Sequence, residues 1–220
     1  MIPEPSISQF SGDQYTTTHK LTTFSKSISV NVTSQPEDGI IAGVDEAGRG
    51  PLAGPVVAAA VILPPNFKHK LYDSKAISAN KREHLFNFIL SDAIAVGLSF
   101  ISPMLIDQLN IRRASLLAMR IAVEMLDIEP KYILIDGRDT IPGLSFPQEA
   151  VVKGDAKIPA ISAASIIAKV SRDNFMRFIH PLFSCYNFPS HKGYPTKKHI
   201  VSIKQFGSSP VHRKTFRGVT

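Results

Sequence analysis

The sequence predicts an α/β protein in which helices pack on one sheet of mixed strand direction. Short apolar runs bounded by Gly and Pro predict five strands, of which three come early and two are enclosed by long helices. A C-terminal helical segment follows the last strand. Of the 220 residues, 44% are apolar and 20% are charged, which is typical of a globular chain. The pattern leaves the order of the strands open.

Each predicted element has a local signal in the chain. The strands are short apolar runs that we place at residues 40–46, 56–63, 94–101, 132–136 and 149–153. Ser102 supplies an N-cap hydroxyl and Pro103 a first-turn proline, which predict one helix from there to about residue 126. Pro159 opens a long helix. The predicted helices are residues 78–90, 103–126, 160–183 and 197–206.

Charge divides the chain into two parts. Residues 1–38 contain two lysines and four acids, so their net charge is 2 − 4 = −2. They are also rich in Ser and Thr, and we expect them to form a flexible arm. Residues 39–220 hold 23 basic and 14 acidic side chains, hence +9, which favours a polyanionic partner. The single Cys185 excludes an internal disulfide framework. With no membrane-spanning run and no secretory start, we expect a cytoplasmic protein that does not bind membranes.

Acidic residues stand where predicted strands end, each beside a glycine. They are Asp45 and Glu46, then Asp136, then Asp155. Two such charges ~4 Å apart repel by about 4 kcal/mol at an effective dielectric of about 20, so a shared site needs a cation. Oxygen ligands without His or Cys favour Mg²⁺ or Mn²⁺. Taken singly, Asp136 and Asp155 are also typical of turns, and Asp139 is the nearest competitor of Asp136.

Recognisable motifs run along most of the chain, roughly residues 39–217. The first is IAGVDEAGRGPLAGPV at residues 41–56, which strongly resembles the opening motif of the ribonuclease HII family. The others follow in the family's order: DSK at 73–75, DQLNI at 107–111, IDG at 135–137, KGD at 153–155, ISAASIIAKVSRD at 161–173, HKGYPT at 191–196 and SPVHR at 209–213. Arg49 and the shortness of the N-terminal arm favour this family over the sister ribonuclease HIII group.

The resemblance implies a fold and an activity. The fold is ribonuclease H-like, with residues 39–220 as a catalytic domain that ends in a helical and basic extension. The activity is hydrolysis of the RNA strand of RNA/DNA hybrids, and nicking of duplex DNA on the 5′ side of an embedded ribonucleotide, leaving 5′-phosphate and 3′-hydroxyl ends. We expect a monomer with two divalent ions, Mg²⁺ or Mn²⁺, and with four catalytic metal ligands, Asp45, Glu46, Asp136 and Asp155.

Substrate contacts are expected from a second set of residues, namely Gly48, Arg49, Gly50, Ser74, Lys75, Ser165, Lys169 and Tyr194. The two glycines leave peptide groups open to a 2′-hydroxyl, and Arg49 can hold a phosphate bidentately, although a plain tight turn is the alternative. Tyr194 lies in a basic loop, where an aromatic ring can stack on a sugar or base. The resemblance places it at the RNA–DNA junction.

Several neighbouring residues allow more than one interpretation. Arg172, three residues after Lys169, is a further phosphate candidate or a partner of Asp173. His191, His199 and His212 show no metal-ligand spacing, and we interpret them as surface or loop-fixing residues. Two other functions remain open from the residues: a non-enzymatic basic RNA-binding protein, and another two-metal nuclease of the same fold.

Overall fold

Five strands form one mixed sheet in the order β3-β2-β1-β4-β5. The computed structural model describes residues 40–71 and 77–219. Strand β2 runs antiparallel to both of its neighbours, β1 and β3, whereas β4 and β5 run parallel to β1. The strands are β1 (Ile41–Ala47), β2 (Val56–Ile62), β3 (Ala95–Ile101), β4 (Tyr132–Asp136) and β5 (Gln148–Val151).

Helices cover both faces of the sheet. They are α1 (Ala79–Asp92), α2 (Pro103–Leu109), α3 (Ile111–Glu124), α4 (Pro159–Phe178), α5 (Phe188–His191) and α6 (Lys197–Phe206), with 3₁₀ turns at Gly154–Ala156 and His180–Tyr186. Within the described ranges, no helix is both long and apolar enough to cross a membrane.

Strand β2, between β3 and β1, is buried on both of its faces, which explains its unbroken apolar sequence. Ala58 and Ala60 belong to the core cluster that α3 closes, whereas Ala59 and Val61 belong to the cluster that α1 and α4 close. Strand β1 approaches α4 just as closely: a Cβ on Gly43 would lie 2.1 Å from the carbonyl carbon of Ala160. This close approach brings the long helix against the strand that carries the first two acids.

The predicted fold class is confirmed, and the predicted strands agree with the observed ones to within about two residues. The prediction of one helix over residues 103–126 is wrong, because Asn110 adopts φ 66° and ψ 161° and separates α2 from α3. The long helix α4 also ends earlier than predicted, at Phe178, and a 3₁₀ turn follows it. The arm predicted for residues 1–38 lies outside the described residues.

Asn110 offers a test of the break between the helices. Its side chain accepts a hydrogen bond from the Arg113 amide at 3.1 Å and caps α3, while its backbone lies in a region that favours glycine. We expect Asn110→Ala to lower the free energy of unfolding by about 1–3 kcal/mol, because it loses the cap and keeps the backbone strain. Asn110→Gly also loses the cap, but glycine adopts this positive φ without strain. We therefore expect Asn110→Gly to lower the free energy of unfolding by about 1 kcal/mol less than Asn110→Ala does. Chemical denaturation measures both, and equal costs would contradict this account.

Candidate active site

Three carboxylates from separate parts of the chain meet at one end of the sheet. Strands β1 and β4 are parallel neighbours with Val44 opposite Ile135, so the next residues, Asp45 and Asp136, lie side by side. Asp155 comes from the 3₁₀ turn that follows β5. One carboxylate oxygen of each of these three aspartates lies within 4.8 Å of the other two. We call Asp45, Asp136 and Asp155 the acidic cluster.

Backbone amides hold the Asp136 carboxylate in place. Its Oδ1 accepts a hydrogen bond from the Gly154 amide at 2.7 Å and a longer one from the Asp155 amide at 3.4 Å. The turn that supplies these amides begins after Lys153, which has a left-handed φ of 57°. The turn therefore brings the Asp155 side chain and two amide donors to Asp136 together.

Burial makes ionisation of Asp45 costly. Its side chain is 4% exposed, and burial, followed by the charges of Glu46 and Asp136, raises its pKa well above the usual range. Two hydrogen bonds oppose this shift, one from the side chain of Ser165 on α4 and one from the Glu46 amide at 2.7 Å. Ser165, predicted as a substrate contact, is itself buried and lies behind Asp45.

Glu46 lies at the edge of the acidic cluster. Burial raises its pKa and the charge of Asp136 adds to this, while Arg49 lowers it. The Arg49 Nη1 atom lies 3.2 Å from the Glu46 Oε1 atom. The Glu46 side chain is only 9% exposed and that of Arg49 is 53% exposed. The Arg49 guanidinium thus neutralises part of the negative charge of Glu46 from the solvent side.

The Gly-Arg-Gly segment (residues 48–50) leaves β1 directly beside these acids. Gly48 has a φ of 98°, and a Cβ there would lie 2.1 Å from the Arg172 Nε atom, so a side chain is excluded on two grounds. Gly50 is exposed, and a Cβ on it would lie 3.7 Å from the Tyr194 ring. The structure therefore brings the predicted ribose-facing segment and the predicted stacking residue together.

Tyr194 presents an accessible ring at this edge of the molecule. It is 40% exposed, and the Lys169 Nζ atom lies 5.8 Å from the centroid of the ring. The same ammonium group pairs with Asp173 at 2.8 Å. Lys169 thus lies within reach of a phosphate bound near the ring, as a substrate contact requires.

Two buried arginines, Arg172 and Arg213, support the Gly-Arg-Gly segment and the loop that follows it from below. Arg172 donates to the carbonyls of Pro55, Ala53 and Lys192 at 2.9–3.0 Å. It is fully buried, so the interpretation that it contacts phosphate is wrong. Burial lowers the pKa of Arg172 to about 10 and that of Arg213 to about 9. Within the described part of the chain, neither guanidinium forms an ion pair with a carboxylate.

Arg213 bonds to the segment itself. Its Nη2 atom donates to the Gly48 carbonyl at 2.6 Å, its Nη1 atom to the Arg49 carbonyl at 3.0 Å, and its Nε atom to the Gly54 carbonyl at 3.0 Å. Its place in the SPVHR motif was visible in the sequence, but a cation in a basic tail is usually exposed. Nothing in the local pattern indicated burial.

The three histidines of the C-terminal region are buried and fix the loop that carries Tyr194. The Ser209 amide donates to His212 Nδ1 at 3.0 Å, so His212 Nε2 carries the proton that faces His199 Nε2 at 3.1 Å. His199 Nδ1 is then the donor to the Tyr194 carbonyl at 2.9 Å. Burial lowers the pKa of His212 to about 4, which keeps the ring neutral. Their interpretation as surface residues is wrong, and that as loop-fixing residues agrees with these bonds.

Three predicted or competing residues remain. Ser74 and Lys75 lie outside the described residues. Asp139, the competitor of Asp136, forms a two-point ion pair with Arg112 on the surface, at 2.6 and 3.0 Å, which lowers the pKa of its carboxyl. The acidic cluster thus contains Asp136 and not Asp139.

The mixed sheet with acids at the ends of neighbouring strands defines an endoribonuclease of the ribonuclease H type. The sequence model of ribonuclease HII matches residues 42–219, and the chain belongs to the ribonuclease HII family. It acts on RNA/DNA hybrids, and enzymes of this class use divalent metal ions.

Individual relatives agree with this assignment. Ribonuclease HII of Syntrophus aciditrophicus is 52% identical over 184 residues, which cover 82% of this chain and 86% of that protein. Ribonuclease HII of Geobacter metallireducens is 50% identical over 190 residues, which cover 86% of this chain and 89% of that protein. The crystal structure of ribonuclease H2 from Pyrococcus horikoshii OT3 matches with a TM-score of 0.67 and 28% identity, over 81% of this chain and 94% of that one.

The raised pKa of Asp45 predicts how stability depends on pH. The pKa of the Asp45 carboxyl is higher in the folded than in the unfolded protein. Below the unfolded pKa the carboxyl is protonated in both states and does not destabilise the fold, whereas the free energy of unfolding falls as the pH rises through the folded pKa. In chelator, we therefore expect Asp45→Asn to melt above the wild type near pH 7, with a gain that shrinks toward pH 4. Thermal unfolding across this range measures the gain. Asp139→Asn, which removes an exposed and paired carboxylate, is the control and should show no gain. A gain for Asp45→Asn that is independent of pH would contradict the assignment.

Proposed function

We propose that this enzyme, besides acting on hybrids, nicks duplex DNA on the 5′ side of an embedded ribonucleotide and leaves 5′-phosphate and 3′-hydroxyl ends. The observation that carries the proposal is the position of the Gly-Arg-Gly segment, whose Arg49 and Gly50 are exposed, beside the acids of β1 and next to Tyr194. Only the 2′-hydroxyl distinguishes a ribonucleotide within DNA, so recognition requires close polar groups beside the cleavage site.

Divalent cations fit the acidic cluster. Its donors are carboxylate oxygens, the set that Mg²⁺ and Mn²⁺ prefer, and the buried Asp45 carries a raised pKa that a bound cation would reverse. Asp45, Asp136 and Asp155 would hold two such ions, with Glu46 joining when Arg49 releases it. When bound, these ions supply Lewis-acid stabilisation of phosphate oxygens and lower the pKa of water.

The other residues of the site orient the nucleic acid. Arg49 is exposed and carries a planar fork of donors suited to a phosphate, which it would reach on leaving Glu46. Tyr194 offers its ring to the sugar or base next to the ribonucleotide, and Lys169 adds a phosphate contact. Ser165 acts through Asp45, whose carboxylate it orients. Roles for Ser74 and Lys75 on the phosphate backbone remain predictions from the sequence.

The site is complete within one chain, which supports action as a monomer. The described groups come from β1 and the Gly-Arg-Gly segment after it, from β4, from the turn after β5, from α4 and from the loop of Tyr194. The charge of +9 on residues 39–220 favours a duplex of nucleic acid as the partner. A single exposed Cys185 fits the reducing cytoplasm, where we place the enzyme.

Removal of one member of the acidic cluster should separate cleavage from binding. We expect Asp45→Asn and Asp136→Asn each to lower cleavage of an RNA/DNA hybrid by about a thousandfold or more, because the cations lose a ligand charge. Hybrid affinity, measured by fluorescence anisotropy, should fall little. Chelator should abolish wild-type cleavage, and Asp139→Asn should cleave normally. Undiminished cleavage by either cluster variant would refute the assigned ligands.

Gly48 tests the proposed ribose recognition. A methyl group at Gly48 meets Arg172 and a strained φ, so Gly48→Ala should displace the Gly-Arg-Gly segment. We expect cleavage at a single ribonucleotide in duplex DNA to fall by about tenfold or more, since small misplacements in a site are costly. Gly207→Ala is the matched control: φ is 77°, but no atom lies within 4 Å of the added carbon. It should lower the melting temperature and keep cleavage. Equal cleavage losses in both variants would count against the proposal.

A further inference from the structure

Two consecutive peptide groups of the Gly-Arg-Gly segment have a fixed direction. The carbonyls of Gly48 and Arg49 both point at the buried Arg213 guanidinium, at 2.6 and 3.0 Å. The described residues contain no cis peptide bond, and in a trans peptide the N–H points away from the carbonyl. The amides of Arg49 and Gly50 therefore point away from Arg213, toward the surface on which both residues are exposed.

These two amides are available to a ligand. Within residues 40–71 and 77–219, neither amide donates a hydrogen bond to a protein acceptor. They are adjacent in the chain, and they follow the strand that carries Asp45 and Glu46. A pair of adjacent outward amides suits oxygen acceptors that lie next to each other, such as a ribose 2′-hydroxyl and a neighbouring phosphate oxygen.

The Arg213 guanidinium is suited to hold the carbonyls of Gly48 and Arg49 in this direction. Its donors form a rigid planar fork, and three of its nitrogens bond to the carbonyls of Gly48, Arg49 and Gly54. Arg213 is fully buried and forms no ion pair with any residue of 40–71 or 77–219, which is a costly place for a charge that served packing alone. A lysine there would offer one point of attachment on a flexible stem.

Arg213 is in turn anchored to α2. The carboxylate of Asp107 accepts hydrogen bonds from the amides of Lys214 and Thr215 at 2.8 and 3.0 Å, and from the Thr215 hydroxyl at 2.6 Å. The Arg213 amide donates to the Leu52 carbonyl at 2.8 Å. The guanidinium thus starts from a backbone that is fixed on both sides.

We propose that Arg213 is a specificity-determining positioning residue: by holding the carbonyls of Gly48 and Arg49, it presents the next two amides to the 2′-hydroxyl and phosphate of a ribonucleotide. This inference rests on the proposed recognition of a ribonucleotide by the Gly-Arg-Gly segment. It requires no contact between Arg213 and the substrate. Loss of the guanidinium should therefore weaken the preference for ribose and leave general duplex binding intact.

The test measures binding preference in the full-length protein with Asp136→Asn as background, so that no cleavage occurs. Fluorescence anisotropy gives the affinity for a DNA duplex that contains one ribonucleotide and the affinity for the same duplex made only of DNA. The ratio of the two affinities is compared between the Asp136→Asn protein and the Asp136→Asn protein that also carries Arg213→Lys. We expect Arg213→Lys to lower this ratio by about fivefold or more, the range that loss of one or two hydrogen bonds gives. Affinity for the all-DNA duplex should stay unchanged.

The matched control is Arg172→Lys, which removes an equally buried guanidinium that bonds to Ala53, Pro55 and Lys192 but not to the carbonyls of Gly48 and Arg49. It should melt lower and reduce the ratio by a clearly smaller factor than Arg213→Lys does, because it leaves the bonds to the carbonyls of Gly48 and Arg49 in place. Equal loss in both variants, or an unchanged ratio in Arg213→Lys, would overturn the inference. A ratio near one in the Asp136→Asn background alone would instead refute the proposed function.

Two further measurements separate positioning from folding. In Arg213→Ala, added methylguanidinium should restore part of the preference, because it can occupy the vacated space and bond to the same carbonyls. If both Arg213 variants fail to fold, Asp107→Asn loosens residues 213–216 and leaves the guanidinium in place. It should lower the ratio by a smaller factor, about twofold. A folded Asp107→Asn protein with the full ratio would then overturn the inference.

Discussion

The parallel pairing of β1 with β4 is the constraint on which the site depends. It places Asp45 and Asp136 at adjacent positions, and the packing of α4 against Gly43 closes the sheet behind them. The chain cannot separate these carboxylates without breaking the sheet, so the cost of their mutual repulsion is built into the fold. Burial adds to that cost at Asp45. A bound cation would favour the ionised form of such a site, and in this way the fold would couple metal binding to the geometry that phosphate chemistry needs.

Opposite charges occupy separate layers around the Gly-Arg-Gly segment. The carboxylates lie at the strand ends, whereas the guanidiniums of Arg172 and Arg213 lie beneath the segment and bond to carbonyls instead of carboxylates. Because a guanidinium that binds a carbonyl turns the same peptide's N–H outward, buried positive charge becomes a surface of amide donors. The exposed side of the site thus combines amide donors and Arg49 for anions with carboxylate oxygens for cations. A phosphodiester requires both, since its oxygens must be held while charge develops on them.

Sequence reasoning found the groups whose chemistry is visible in local patterns. Strands ending in Asp and Gly gave the acidic positions, and the hydroxyl and proline at residues 102 and 103 gave a helix start. The break at Asn110 escaped because the apolar period continues across it and a positive φ at asparagine has no strong signal. The burial of Arg213 and His199 escaped for a different reason. Cations and histidines in a basic tail are normally solvated, and only long-range backbone acceptors, which no local pattern reveals, make their burial possible.

The C-terminal segment is hydrogen-bonded to the loop that follows the Gly-Arg-Gly segment. The Leu52 amide donates to the Gly193 carbonyl at 2.8 Å and the Gly54 amide to the Val211 carbonyl at 2.8 Å, so the loop after the Gly-Arg-Gly segment bonds to both sides of the region that holds Tyr194. Arg172 bridges the same two regions through Ala53 and Lys192. Because these bonds join the amides proposed to recognise ribose to the ring proposed to stack beside it, a shift of either group displaces the other. Discrimination of a single ribonucleotide requires that kind of rigidity, since one hydroxyl group contributes little binding energy unless its partners are already in place.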